Sequence, residues 1–438
     1  MKQSSLFYTA HKDAPKDEQS INAQLLIRAG FIDKLSAGVY SYLPLGLRVC
    51  NKIENIIREE LLKIGAQELI MPAMHPKENW QVTGRWDSMT DLYKISEGEK
   101  ELALGPTHEE IIVPLAKKYI HSWQDLPLTN TTVGEFPLSL FQFQTKFRKE
   151  LRAKSGILRT REFLMKDLYS FHRDEADLEK FYAVVENAYE NIFRRLGIID
   201  KVYYTYASGG TFSKYSHEYQ LLTPSGEDTI YVCENCEAAA AQGESSVGVA
   251  INKEIKPDLL ECPKCHKTVF REEKSIEIAN IFKLITKFSS PFELSYTDEN
   301  SEKKLVIMGC YGIGIGRLMG SIAEVFHDEK GVIWPKSVAP FDVHLIRIDS
   351  AKENGQTLLN EAQRLYQELQ SQGFSVLYDD RLDSAGKKLI DADLLGIPVR
   401  VVISPKTLEK NGVEIKLRNH PEMKVIATSE LLGFLRES

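Results

Sequence analysis

Long hydrophobic runs are what this 438-residue sequence lacks most plainly: none approaches the roughly 20 apolar residues that cross a bilayer. The opening residues MKQSSLFYTAHKDAPKDEQS contain no apolar leader core, and a cytoplasmic location is expected. Six cysteines are too few for a disulfide scaffold in a chain of this length. No internal repeat or low-complexity tract is visible, so nothing points to a solenoid. Positive charge is not in excess either. With 55 Lys and Arg against 62 Asp and Glu the net charge is −7, so the protein does not coat nucleic acid by bulk attraction. What remains, 43% hydrophobic and 27% charged residues, is ordinary for two globular domains and a small extra module.

Against that acidic total, one stretch stands out. Lys146–Arg173 holds nine Lys and Arg and three acids, a local charge of +6. Two β-compatible runs, around Phe147 and Phe163, flank a basic, Gly-containing turn at Arg152–Leu158, which predicts a hairpin. Arg148 stands between Phe147 and Glu150, and Phe163 follows Glu162. A solvated basic loop has no need of that interleaving, whereas a phosphate substrate suits fixed guanidinium forks beside an aromatic ring.

Four of the cysteines form two CxxC pairs, Cys233/Cys236 and Cys262/Cys265, with 25 residues between them. Each pair brings two thiolates to one ion, and two pairs complete the tetrahedron zinc prefers, with no position left open for catalysis. GCYGIGIGRLMG (309–320) sets Gly312, Gly314 and Gly316 at alternate positions and then Arg317 at the start of a helix. Close backbone packing and an approach to phosphate are both open readings there. In GPTHEE (105–110), Thr107 reads as a helix N-cap with Glu110 closing the box, while Glu109 is left to face a ligand ammonium. His217 and Glu218 follow two glycines in SGGTFSKYSHEYQ, where a structural histidine and a ligand-binding one are alternatives.

Residues 17–64 read as largely helical around a turn-rich Gly38–Gly46, with Val49, Ile53, Ile56, Ile57, Leu61 and Ile64 on one stripe and Gly65 as the stop. QELIMPAM reads as a strand that Pro72 confines to an edge. Residues 175–197 read as an amphipathic helix, and Leu305–Val325 as a strand, a glycine-rich bend and a helix. IWPKSVAPF (333–341) is the linker candidate. Beyond it, strands DVHLIRI, FSVLYDD and VRVVIS alternate with helices at Asn354–Gly373 and Ser384–Leu395, which predicts a layered α/β domain with a mostly parallel sheet.

Taken together these segments resemble a class II aminoacyl-tRNA synthetase, most closely the bacterial-type prolyl-tRNA synthetases. RAGFIDKLSAGVYSYLPLG is similar to that family's N-terminal signature. The helix ending at Gly65 and the strand with Pro72 resemble motif 1, FRKE with RTREFLMKDLYSFH resembles motif 2, and GCYGIGIGR resembles motif 3. The resemblance implies an α+β catalytic domain over 1–335, an antiparallel sheet flanked by helices; the zinc-ribbon-like insertion expected at 228–275 comes from the cysteine pairs, stands in place of an editing domain and departs from the family. It implies an anticodon-binding α/β domain at 341–438, where 13 basic face 15 acidic residues. It further implies L-proline, ATP with Mg²⁺, tRNA and a second copy of the chain as partners.

By the same resemblance Arg148, Glu150, Phe163 and Arg317 would hold ATP, with Arg148, Glu150 and Arg317 serving catalysis. Thr107, Glu109, Arg148, Tyr169, His217 and Cys310 would border the proline, and Asp380, Arg381 and Lys388 would read the anticodon. About 90 residues separate His217 from Gly309, too few for the large editing insertion those enzymes commonly carry. A separate trans-editing protein is therefore expected. The rival readings are a sister synthetase for threonine, serine, glycine or histidine, or a synthetase-like module that binds without charging. A zinc-ribbon nucleic-acid-binding protein is a third, opposed by the acidic total.

Overall fold

The computed structural model describes residues 1–438 except 17, 152, 154, 211–214, 244–246, 350–354 and 438. Part of the glycine-led approach to His217, and two basic residues of the hairpin turn, thus lie outside the described residues. The chain forms two compact units. One comprises Ser36–Val39 and Ile53–Ser321, the other Met1–Leu35, Tyr40–Lys52 and Ile322–Ser438.

The stretch expected to be largely helical is broken more sharply than by a turn. After a helix at Ile21–Arg28, strands Ile32–Ser36 and Val39–Tyr42 form a hairpin, and only then does α1 (Pro44–Lys63) begin. Its predicted stripe is buried, and Gly65 ends it at φ 73°, a conformation that costs glycine nothing.

The larger unit is built on a nine-stranded sheet. In chain order its strands are β1 (Gln67–Glu68), β2 (Leu138–Phe147), β3 (Glu162–His172), β4 (Val202–Ser208), β5 (Tyr215–Leu222), β6 (Asp228–Cys233), β7 (Gly248–Asn252), β8 (Phe270–Ile285) and β9 (Ile307–Gly314). Their spatial order is β5-β4-β7-β6-β8-β9-β3-β2-β1, and β5 also pairs with β8. The strand expected at QELIMPAM shrinks to the two residues of β1 at the sheet edge. The expected hairpin is β2 paired antiparallel with β3, Phe147 opposite Glu162.

Helices cover the two faces of this sheet. On one, α2 (Glu109–Ala116) packs Ile112, Val113 and Ala116 against Tyr169, Phe171, Met308 and Cys310. On the other lies α3 (Glu175–Leu196), the predicted amphipathic helix, whose Leu178, Phe181, Tyr182, Val185, Tyr189, Ile192 and Phe193 are buried. Asp174 caps that helix by accepting the Asp177 N–H, and Gly197 at φ 77° closes it. The predicted glycine-rich bend does not occur. Gly309, Gly312 and Gly314 lie inside β9, which passes directly into α4 (Ile315–Val325).

The cysteine segment is not a separate ribbon. β6 pairs with β7 and β8, β7 runs parallel to β4, and the β5–β8 pairing closes a ring of five strands.

In the other unit, β10 (Val343–Arg347), α5 (Gly355–Ser371), β11 (Val376–Asp379), α6 (Ala385–Leu395) and β12 (Val399–Ile403) follow the predicted alternation. β10 runs parallel to both β11 and β12. Two strands that the reading missed, β13 (Gly412–Leu417) and β14 (Met423–Ala427), add antiparallel, so the sheet is mixed. The first residues of the chain tie onto its β11 edge. The Met1 amino group donates to Val376 O at 2.7 Å, and Lys2 bridges Tyr378.

Candidate active site

Side chains alternate between faces along a strand. On the α2 face of the large sheet, Phe163, Met165, Asp167 and Tyr169 of β3 therefore line up beside Cys310, Gly312 and Gly314 of β9. The two glycines leave bare floor, and a Cβ on Gly312 would stand 2.8 Å from Asn280 Oδ1. Above that floor lies a cavity of ≈ 370 Å³, lined by Arg148, Glu150, Phe163, Glu218, Glu277 and Arg317 among others. The guanidinium of Arg148 lies 5.1 Å from the centre of the Phe163 ring. Its Nε and Nη2 both donate to Pro106 O at 3.3 Å. Burial, and then the charge of Arg317, lower its pKa, which marks a site where added negative charge is favoured. Arg317 donates to Leu158 O and Glu277 O at 2.9 and 2.8 Å. Glu150 accepts from Arg159 Nε at 2.8 Å.

Arg148 also lines a second cavity of ≈ 530 Å³, with Thr107, Arg85, Asn280 and Phe288. Here the predicted capping box is absent. His108, not Thr107, stands at the N-cap of α2 and gives no side-chain cap bond. Thr107 Oγ1 instead donates to Glu109 Oε2 at 2.5 Å, and Glu110 is held by Arg85 Nη1 at 2.9 Å and by Thr83. An exposed cap suits a helix start in water, whereas this one is wholly buried: Glu109 and Glu110 are both 0% exposed. Cys310 Sγ lies 3.4 Å from Glu109 Oε1, and the His108 N–H donates to the Tyr169 hydroxyl at 3.2 Å. Thr107, Glu109, Tyr169 and Cys310 thus form one group beside Arg148. Burial first, and then Glu109, raise the Tyr169 pKa well above its ordinary value, so its hydroxyl stays neutral. Beneath the loop Lys146 Nζ reaches His108 Nδ1 at 2.8 Å and Asp167 Oδ1 at 2.7 Å.

His217 is not brought to this group. It occupies the other parity of β5, faces α3, and meets the Tyr182 hydroxyl at 2.7 Å with Tyr204 stacked 4.8 Å away. Burial, and then Lys283, lower its pKa to about 4. Its neighbour Glu218 faces the first cavity instead. The three expected anticodon readers are likewise engaged elsewhere. Asp380 accepts from the backbone and hydroxyl of Ser4 at 3.0 and 2.7 Å. Arg381 is bracketed by Asp379 at 2.7 Å and Asp391 at 2.9 Å. Lys388 is 1% exposed and donates to Arg347 O at 2.6 Å. The resemblance suggested readers, but Ser4 claims Asp380, carboxylates claim Arg381 and a carbonyl claims Lys388.

The four cysteines of the two pairs converge, with every sulfur within 4.8 Å of the others. Cys233–Cys265 and Cys236–Cys262 are 3.5 and 3.7 Å apart, close to the edge of roughly 3.8 Å implied by zinc–sulfur bonds of about 2.3 Å in a tetrahedron. The residues present therefore fit a structural zinc ion.

Several contributors escaped the sequence reading: Glu218 and Glu277 in the cavity, Arg159 at its rim, and Arg85 under Glu110. For Glu218 the signal was available, since the strand alternation allows only one of His217 and Glu218 to face the site. The others depend on contacts remote in sequence.

Family models match over most of the chain: the tRNA synthetase class II core domain (G, H, P, S and T) at 93–326 and an anticodon binding domain at 343–438. A proline–tRNA ligase of Ehrlichia chaffeensis is 37% identical over 443 residues, covering all of both chains. One from Dehalococcoides mccartyi is 32% identical, covering 99% of this chain and 98% of its own. That alignment runs over 571 residues, at least 571 − 438 = 133 beyond the length of this chain. Among solved structures, a Giardia lamblia prolyl-tRNA synthetase in complex with prolyl-adenylate superposes with a TM-score of 0.74. It covers 93% of this chain and 74% of its own at 21% identity, a likeness of fold.

Proposed function

The chain belongs to the proline–tRNA ligase family, and we propose that it activates L-proline with ATP and passes the prolyl group to the 3′ end of its tRNA. One observation carries this reading: Arg148 is shared by the cavity of Phe163 and Arg317 and by the cavity of Thr107. A guanidinium so placed neutralises the α-phosphate and the amino-acid carboxylate together. A carboxylate oxygen then bonds to the α-phosphorus as the bond to pyrophosphate breaks. Positioning and charge neutralisation account for such a step without covalent help from the protein. Phe163 supports the base, Glu150 orients its adenine end, and Arg317 takes up charge on the outgoing phosphates. The buried carboxylate of Glu109, held by Thr107 and bordered by Tyr169 and Cys310, receives the secondary ammonium of proline. In the second step a ribose hydroxyl at the tRNA end takes the acyl group and AMP leaves.

Glu218 and Glu277 offer the carboxylate oxygens magnesium takes, and magnesium bound with ATP would screen its phosphates. Zinc on the four thiols would be structural. We assign catalysis to 1–335 and anticodon binding to 341–438, in a homodimer. No helix among the described residues is long and apolar enough to cross a membrane.

Amino-acid-dependent ATP–pyrophosphate exchange, run with all twenty amino acids, tests the reading. Strong exchange with proline is expected; exchange with another amino acid alone overturns the substrate, and none with any overturns the activity. Each methylene is worth only about 1–3 kcal/mol of discrimination. Some alanyl-tRNA is therefore expected as a by-product that a separate protein clears, and an absence of alanylation would remove that need.

A further inference from the structure

The strands of the cysteine module run from the sulfur cluster to the nucleotide cavity. β6 begins at Asp228, which lines the cavity, and ends at Cys233, five residue steps or roughly 17 Å away. β7 ends at Asn252, also in the lining, and Glu227 and Glu254 flank these strands at the same wall. β8 starts at Phe270, opposite Cys233, and reaches the cavity at Glu277. Near the cavity end the module is fastened to the catalytic side chains. Arg159 Nη1 donates to Glu227 Oε2 at 2.5 Å while its Nε holds Glu150. Gln220 Nε2 bridges Glu218 at 2.9 Å and Asp228 at 3.0 Å, and Asn252 Nδ2 reaches Glu218 Oε2 at 3.4 Å. The turn leading into β6 is packed so closely that a Cβ on Gly226 would stand 2.1 Å from Ser275 O.

We infer that the four-cysteine module is a positioning element for ATP: it sets one wall of the nucleotide cavity, through Glu227 on Arg159 and through Asn252 on Glu218. The inference rests on the ATP-dependent reading above. A module that merely closed a gap in the chain would need no side chains in the cavity. Here the metal-binding end anchors one end of strands whose other end orients Glu150 and Glu218. Loosening the sulfur cluster therefore displaces groups facing ATP, whereas the proline cavity takes only Asn280 from these strands, beyond the 228–275 segment, and is affected less.

The test compares Glu227→Gln, Asn252→Ala and Cys233→Ser with the parent chain. ATP binding is measured by calorimetry without amino acid, ATP and proline KM by pyrophosphate exchange, zinc content by mass spectrometry and folding by thermal melt. Glu227→Gln and Asn252→Ala are expected to weaken ATP binding and raise ATP KM about fivefold to tenfold. Proline KM should stay within about twofold, with zinc content and melting temperature unchanged. Cys233→Ser should lose zinc and show the same selective rise in ATP KM. Unchanged ATP binding in both Glu227→Gln and Asn252→Ala overturns the inference, as does an equal rise in both KM values. Should that serine variant fail to fold, the first two decide alone. If the parent binds ATP but exchanges with no amino acid, the ligase reading fails while the calorimetry still tests the wall.

Discussion

The two regions where cations were expected to bind ligands behave in opposite ways. In the catalytic sheet, Arg148 Nε and Nη2 donate to a backbone carbonyl and the guanidinium faces two cavities. In the C-terminal sheet, Arg381 is bound by Asp379 and Asp391, and Lys388 lies in the interior. Both regions carry cations beside acids in sequence. The difference is where those acids point. Asp379 ends a strand and Asp391 lies on the helix packed beside it, so they neutralise Arg381 in place. Around Arg148 the direct contacts are an aromatic ring and a carbonyl, and Glu277, Asp91 and Glu109 act on it from a distance without an ion pair among the described residues, which leaves its charge for a ligand. A cation serves recognition when the fold withholds its counter-ion.

The sharpest way to break this comparison is to remove Arg148. Arg148→Ala should lower proline-dependent exchange by about 10²- to 10³-fold while circular dichroism and melting stay those of the parent. A loss of fold instead would place Arg148 with Arg381. The converse change, Arg381→Met, strands two carboxylates, and urea unfolding should register a loss of about 3–5 kcal/mol with exchange preserved. If stability holds and tRNA charging alone weakens, Arg381 reads bases after all.

Glu109→Gln should raise proline KM on the order of tenfold, with ATP KM unmoved, because it removes the buried negative partner of an ammonium. Equal effects on both substrates would argue against a dedicated amino-acid carboxylate. His217→Ala, on the α3 face, should cost about 1–3 kcal/mol of stability and leave proline KM alone; a selective proline defect would restore His217 to the pocket.

The last effect concerns pH. Burial, and then the Glu277 charge, push the Glu218 pKa up to about 8 from the usual 4.5. Between those values the native state holds a proton that the unfolded chain has lost, so stability falls as pH rises through that window. Glu218→Gln should flatten that slope in urea midpoints taken from about pH 5 to about pH 8. Parallel profiles for the two proteins would show that Glu218 ionises normally.

Much of the architecture was legible because it rests on local pattern. The stripes of α1 and α3, the Gly65 stop, the β2–β3 hairpin and the CxxC spacing are all set within a few residues of chain. The antiparallel β13 and β14 were not legible, since GVEIKL and MKVIA are short and acquire their strand character by pairing with each other and with β12. Nor was the occupation of Asp380 by Ser4, which lies 376 residues away in sequence.

The sequence by itself determined the chemistry on offer: two pairs of thiols, a run of guanidinium groups, alternating glycines and a Thr-x-Glu loop. Those are properties of residue type and short spacing, which no fold alters. Only the tertiary structure decided which groups are spent on the fold and which remain for a substrate. That choice depends on strand parity and on counter-ions delivered from distant segments. It turned His217 away and Glu218 inward, closed Arg381 and Lys388 into the smaller sheet, and carried the wall of the cysteine module to the edge of the nucleotide cavity.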